Sequence, residues 1–144
     1  MFKKLQGKYN FKPKKEYYPK NVSNEFSKNI KSISNICISH KKIKCIFMTQ
    51  PAIYDLELND KDIEKLWFTP PFYDWALNME SLIHIKNLYN NFIKNNCIIN
   101  EIHCFDLSAK IDKKTEYFYD DIHFNKHGNI FIGQLLNDFL RKEF

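Results

Sequence analysis

The feature that most constrains this chain is a short apolar run, Cys45 to Met48, in the stretch KCIFMTQP. It carries no polar alternation, so it reads as a strand buried on both faces, as in a parallel sheet. A second strand is expected over 101–107, EIHCFDL, where Ile102, Cys104 and Phe105 are apolar. Between them, from about Leu77 to Asn95, Leu82, Ile85, Tyr89, Phe92 and Ile93 form one apolar helical face, with Glu80, Lys86, Asn87, Asn90 and Lys94 opposite. Two strands joined through a helix imply a parallel crossover. The fold class is therefore α/β, and sites in such sheets lie beyond the carboxyl ends of the strands.

Two further helices flank this unit. Val22, Phe26, Ile30, Ile33 and Cys37 recur at spacings of three and four, capped by Asn21 or Ser23 and ending near His40. The last helix covers about 125–142, with Ile132, Leu135, Leu136, Phe139 and Leu140 inward, and with Gly128 and Gly133 suited to close contact with the sheet. Residues 1–20 read as a basic lead-in loop, and 21–144 as the folded portion. Residues 50–75 form a long connection with a short helix near Asp60 to Leu66. Connections of that length in compact domains are often functional.

The lead-in holds seven lysines and one glutamate, so the other 124 residues sum to about −1 against a chain total of +5. Arg141 is the sole arginine. Base readout and bidentate phosphate contacts favour arginine, so nucleic acid is not the expected partner, although Phe2, Tyr9, Phe11, Tyr17 and Tyr18 interleave with the lysines. No run reaches the length of a membrane span and the first residues lack a signal peptide's apolar stretch. These features place the chain in the cytoplasm as an expectation. Cys37, Cys45, Cys97 and Cys104 form no C-x-x-C pair, which suits reduced, buried thiols.

The chemistry concentrates in FYDDIHFNKHGN, 118–129. Asp120-x-x-His123 can bring a carboxylate onto an imidazole within one tight loop. That arrangement fixes the ring tautomer and stabilises the imidazolium that forms on proton uptake. Asn125 would cap the next helix. The same residues are open to a plain helix-entry hydrogen bond, or to a metal site with His127. Beyond the strand ends also lie Gln50, Asp106 and Ser108. Trp67, Phe68, Phe72, Tyr73 and Trp75 could roof a substrate pocket or form a loop's own small core. His103 reads as a packed or edge histidine; His40 and His84 read as helix-surface residues.

The block YDDIHFNKHGN, followed by an apolar terminal helix, resembles the last sequence block of the SGNH (GDSL-type) hydrolases. IFMTQPAIYD resembles that family's penultimate strand, and IHCFDLS its last, with Asp106 in the usual place. The similarity spans roughly 21–142. It implies an incomplete flavodoxin-like, three-layer fold, a short parallel sheet flanked by helices. It also implies ester hydrolysis with His123 as general base, Asp120 as its orienting acid and Asp121 as a bystander. Substrates would be esters of carbohydrates, lipids or other small molecules, with Gln50, Trp67 and Phe72 as candidates for contacting them. Neither metal nor organic cofactor is implied.

The family's Gly-Asp-Ser nucleophile block and Gly-x-Asn-Asp oxyanion block are absent from this sequence. Losing a triad serine has cost about 10⁶ in turnover where measured, and losing an oxyanion donor about 10²–10³. The isolated chain is therefore expected to be inactive. It would need a complementing N-terminal half, or a homo-oligomer, to finish the sheet and the site. The alternative is a non-catalytic binding or interaction module on the same half-fold.

Overall fold

A computed structural model describes residues 11–40, 42–66, 73–112 and 116–144. The chain runs β1 (Lys14–Lys15), α1 (Asn24–Ser39), β2 (Ile46–Met48), α2 (Asp60–Ile63), β3 (Ala76–Leu77), α3 (Met79–Asn100), β4 (His103–Phe105), α4 (Leu107–Lys110) and α5 (Lys126–Glu143). It is a small α/β arrangement with two parallel two-stranded sheets, β1–β3 and β2–β4.

The two strands expected from their apolar runs pair in parallel, with Ile46 opposite His103, Phe47 opposite Cys104 and Met48 opposite Phe105. A bond from the Thr49 amide to the Phe105 carbonyl, 3.2 Å, carries the ladder to the strand ends. Among the described residues β2 pairs with β4 alone, so its other edge presents backbone groups without a strand partner.

Caps set the helix starts. Ser23, one of the two expected candidates, accepts from the Phe26 amide; Asn78 accepts from Ser81 and Asn125 from Gly128. Helix α3 extends five residues past the expected end, to Asn100. It stops where Glu101 turns left-handed (φ 52°) and returns its amide to Cys97 and Ile98.

Helix α1 departs from the reading of its apolar face. Ile33 is 48% exposed, whereas Ser34 is buried. The Ser34 hydroxyl donates to the Ile30 carbonyl (2.9 Å) and accepts from Asn96 Nδ2 of α3 (2.7 Å). The helices thus meet through a satisfied polar pair that hydrophobic periodicity cannot reveal. Asn90, expected on the outer face of α3, is buried as well.

Lys14 and Lys15, read as loop, pair with Ala76 and Leu77. The strap continues along α3: the Tyr17 amide donates to Ser81 Oγ, Pro19's carbonyl meets His84 Nε2 at 2.8 Å, and the Ser23 amide donates to the Tyr89 hydroxyl. His84 is accordingly half-buried against the lead-in and not a free surface residue.

The cysteines depart from expectation too. Cys37 is bonded to Cys45 and Cys97 to Cys104, with Cα separations of 5.8 Å in both pairs, inside the range a disulfide spans. One bond ties α1 to the segment entering β2, and the other ties α3 to β4. Sequence spacing hid these pairings because each depends on a helix folding back onto a strand.

The principal core comprises Ala52, Ile53, Tyr54, Leu66, Ala76, Leu82, Ile111 and Phe118. It lies past the carboxyl end of β2, beneath the loop that enters α5. Gly128 is buried there, and a Cβ on it would collide with the Tyr117 carbonyl; at Gly133 nothing lies within 4 Å. The expected close contact with the sheet is found at neither glycine: Gly128 approaches the loop backbone instead, and Gly133 approaches nothing. Gly128→Ala should cost about 1–3 kcal/mol through overpacking, while Gly133→Ala should gain about 0.5–1 kcal/mol of helix propensity. Urea melts of the two variants should move in opposite directions.

Candidate functional site

Residues 117–125 form a tight loop that closes on itself. Phe118 bridges Phe124 antiparallel, and their rings lie 4.9 Å apart. The Tyr119 amide donates to the His123 carbonyl (2.7 Å), and the Asn125 amide to the Tyr117 carbonyl (3.0 Å). Asn125 works in both directions: its Oδ1 caps α5, and its Nδ2 donates to the carbonyls of Glu116 and Phe118.

Inside this loop the structure brings Asp120 and His123 together. Asp120 Oδ2 lies 2.7 Å from His123 Nδ1. Asp120 Oδ1 accepts from the amides of Ile122 (2.9 Å) and His123 (2.8 Å). The carboxylate is 3% exposed and the imidazole side chain 69% exposed. A buried carboxylate needs such partners to stay charged, and as an ionised acceptor it selects the tautomer with hydrogen on Nδ1. Nε2 then carries the lone pair. Chemically this is an oriented proton acceptor, and donor once protonated, at the protein surface.

Asp121 does more than a bystander would. It is 1% exposed, and its Oδ2 accepts from the Tyr54 hydroxyl (3.1 Å) while its carbonyl accepts from the Ile53 amide (3.0 Å). These bonds anchor the loop to the segment after β2. The three-residue spacing to His123 singles out Asp120, but nothing local marks the anchoring role of Asp121, whose partner Tyr54 lies 67 positions away.

Gln50 stands next to this loop. Its Nε2 donates to Pro51's carbonyl (3.1 Å) and reaches the Ile122 carbonyl (3.5 Å). Its backbone is clamped by Asn90, whose Oδ1 accepts from the Gln50 amide and whose Nδ2 donates to the Gln50 carbonyl. Beneath it, between α1, α3, the 50–54 segment and Ile122, runs an apolar cleft of about 320 Å³.

Asp106 and Ser108 form a cluster of their own around Thr49. Thr49 Oγ1 donates to Asp106 Oδ1 (2.7 Å) and accepts from the Ser108 amide (2.9 Å); Lys94 Nζ lies 3.2 Å from Asp106 Oδ2. This ties the ends of β2 and β4 together. Burial pushes the Asp106 carboxyl up, but the Thr49 and Lys94 hydrogen bonds and the Lys94 charge outweigh it and hold the group below the usual carboxylate range.

Trp67, Phe68 and Phe72 lie outside the described residues. The Tyr73 and Trp75 rings pack tilted at 49° with centroids 5.2 Å apart, with Lys15 Nζ over the Trp75 ring and Lys12 Nζ donating to the Tyr73 carbonyl. These two aromatics therefore pack with the lead-in. His103 is an edge histidine paired with Glu143 and packed on Phe144. His40 caps α1 through the Ile36 carbonyl. His127 lies against Tyr117, and no group of three potential metal ligands gathers among the described residues.

No family model, curated protein or solved structure matches the chain.

Two outcomes follow. Tyr54→Phe should lower stability by about 1–3 kcal/mol, because the buried Asp121 carboxylate loses a donor; a chemical melt measures it. Asp106, whose folded pKa is depressed, contributes stability that is present at neutral pH and is lost as pH falls through its folded value. The gap in thermal midpoint between wild type and Asp106→Asn should thus be widest above about pH 5 and close below about pH 4.

Proposed function

We propose that this chain supplies the acid–base part of an SGNH-type serine ester hydrolase, within an incomplete flavodoxin-like fold. The observation that carries the reading is the Asp120–His123 pair: a buried, triply hydrogen-bonded carboxylate aiming an exposed imidazole. Its place past the carboxyl ends of a parallel strand pair supports the reading, as does the resemblance of residues 120–128 to the family's block.

In that role an incoming serine hydroxyl attacks the ester carbonyl carbon while His123 Nε2 takes the hydroxyl proton. Asp120 holds the Nδ1 hydrogen and balances the imidazolium. When the tetrahedral intermediate collapses, His123 returns the proton to the departing alkoxide, and an acyl-serine remains. Water then repeats the sequence, its proton passing through His123 to the serine, and the carboxylic acid leaves. Serine and oxyanion donors come from a complementing N-terminal half, which the unpaired edge of β2 is suited to receive as a further parallel strand.

The compartment is a separate matter. Among the described residues no helix is long and apolar enough to cross a membrane. The two cysteine pairs favour an oxidising compartment over the cytoplasm.

The test is complementation. Mixed with a polypeptide carrying Gly-Asp-Ser and Gly-x-Asn-Asp blocks, the chain should hydrolyse a short nitrophenyl ester, and each piece alone should show background rates. Rates should fall about 10⁴-fold or more in His123→Ala and in Asp120→Asn. Activity that survives His123→Ala would refute the assignment of the base.

A further inference from the structure

Charge in this chain is divided between layers. Side chains alternate across β4: Cys104 is bonded to Cys97 of α3, whereas His103 and Phe105 meet Glu143 and Phe139 of α5. Helix α1 packs on α3 through Ser34 and Phe26, so α1 and α3 cover one face of the β2–β4 pair and α5 the other. The strap that precedes α1 lies along α3 and belongs to the same layer. Residues 11–44 and 81–100, which build this layer, hold eleven lysines against two acids. Residues 45–80 and 101–144 hold eight basic side chains against fifteen acids. One layer is thus strongly cationic and the remainder acidic.

The cationic layer also exposes apolar side chains. Helices α1 and α3 each return directly into one strand of a parallel pair, so both end at the amino edge of the sheet. Ile38 of α1, Ile43 in the link to β2, and Ile98 and Ile99 of α3 gather there, 48%, 56%, 76% and 79% exposed. Ile38, Ile43 and Asn100 share the wall of one hollow. Lys42 and Lys44 stand beside them, with Lys28 and Lys31 farther along α1, all exposed. Glu101 and Glu143 also stand at this end, the latter paired with His103.

The occupant of such a surface must be anionic and must also take apolar side chains. A second copy of the chain would set lysine against lysine. A nucleic acid would take the lysines and leave the isoleucines in water, and the layer holds no arginine for bidentate phosphate contacts. A bilayer with anionic headgroups satisfies both. We propose that the α1–α3 layer docks this protein peripherally on an anionic lipid surface. Its isoleucines enter at headgroup depth, and its lysines sit against the lipid charges. The inference stands apart from the hydrolase reading, although Ile38 and Ile43 border the surface that a complementing half would cover.

Co-sedimentation of the full chain with vesicles tests it. Vesicles of phosphatidylcholine mixed with phosphatidylglycerol should carry the protein down, vesicles of phosphatidylcholine alone should not, and high salt should release it. Lys28→Gln and Lys31→Gln should each weaken binding about fivefold. Ile98→Ser combined with Ile99→Ser should weaken it about tenfold or more. Lys61→Gln, on the acid-flanked helix α2, should change nothing. The lipid and salt dependences are read on the unaltered chain, so they decide the matter even where a variant fails to fold. Equal binding to neutral vesicles, an equal loss in Lys61→Gln, or no loss in the isoleucine double variant would overturn the proposal. So would duplex DNA that binds as tightly as the vesicles and is indifferent to the isoleucines, or a dimer that forms through them.

Discussion

The loop that enters α5 depends on one buried carboxylate. Asp120 is 3% exposed, and removing a charge from water costs several kcal/mol unless the protein replaces the lost solvation. It does so with two backbone amides and an imidazole, all from within three residues. The amides fix the turn, and the turn fixes where His123 begins. The side-chain geometry is therefore a by-product of satisfying Asp120, which is why so short a segment can aim a ring without help from distant elements.

A self-contained turn still has to be held against the rest of the molecule, and here the neighbours of Asp120 matter. Asp121 binds the loop to the segment after β2 through Tyr54 and Ile53. Asn125 binds it to α5, and the absent side chain of Gly128 lets α5 approach Tyr117. Thr49, Asp106 and Lys94 hold the two strand ends that support that segment. The order of dependence runs from the parallel pair, to the strand-end cluster, to the loop, to the imidazole. Each stage is a set of hydrogen bonds closed in a half-buried or buried setting, where an unmade bond is costly.

This hierarchy explains what the sequence shows and what it conceals. The Asp120–His123 contact was legible because it closes within four residues and needs no tertiary information. Strands β2 and β4 were legible as short apolar runs and helices α3 and α5 through apolar periodicity, both local signals, although β2 is not buried on both faces as expected, since Met48 is exposed. Ser34, Asn90 and Asn96 were not, because a polar side chain becomes a core residue only when a partner on another helix satisfies it. The two-residue strands β1 and β3 are too short to have a period. The cysteine pairings and the strap from Pro13 to Ser23 along α3 are contacts between elements, set by how the helices lie and not by spacing.

The exposure of His123 gains meaning from the serines of the chain. A general base works on a hydroxyl within hydrogen-bond reach, and most of the serines are engaged elsewhere. Ser23 caps α1, Ser34 and Ser39 donate back to helix carbonyls, and Ser81 accepts from Tyr17. Ser27 and Ser32 sit on α1, and Ser108 opens α4 with its amide on Thr49. No hydrogen bond joins any of them to the imidazole among the described residues. Meanwhile Ile36, Ile38 and Ile43, where α1 runs into the connection to β2, and Met48 at the end of β2 itself are 58%, 48%, 56% and 44% exposed. Exposed apolar side chains, and a β2 edge that is unpaired among the described residues, offer a surface on which the complementing half proposed above would pack. Under the hydrolase reading proposed above, strands added beside β2 would bring foreign backbone to the carboxyl end of the sheet, where the nucleophile's hydroxyl would meet Nε2.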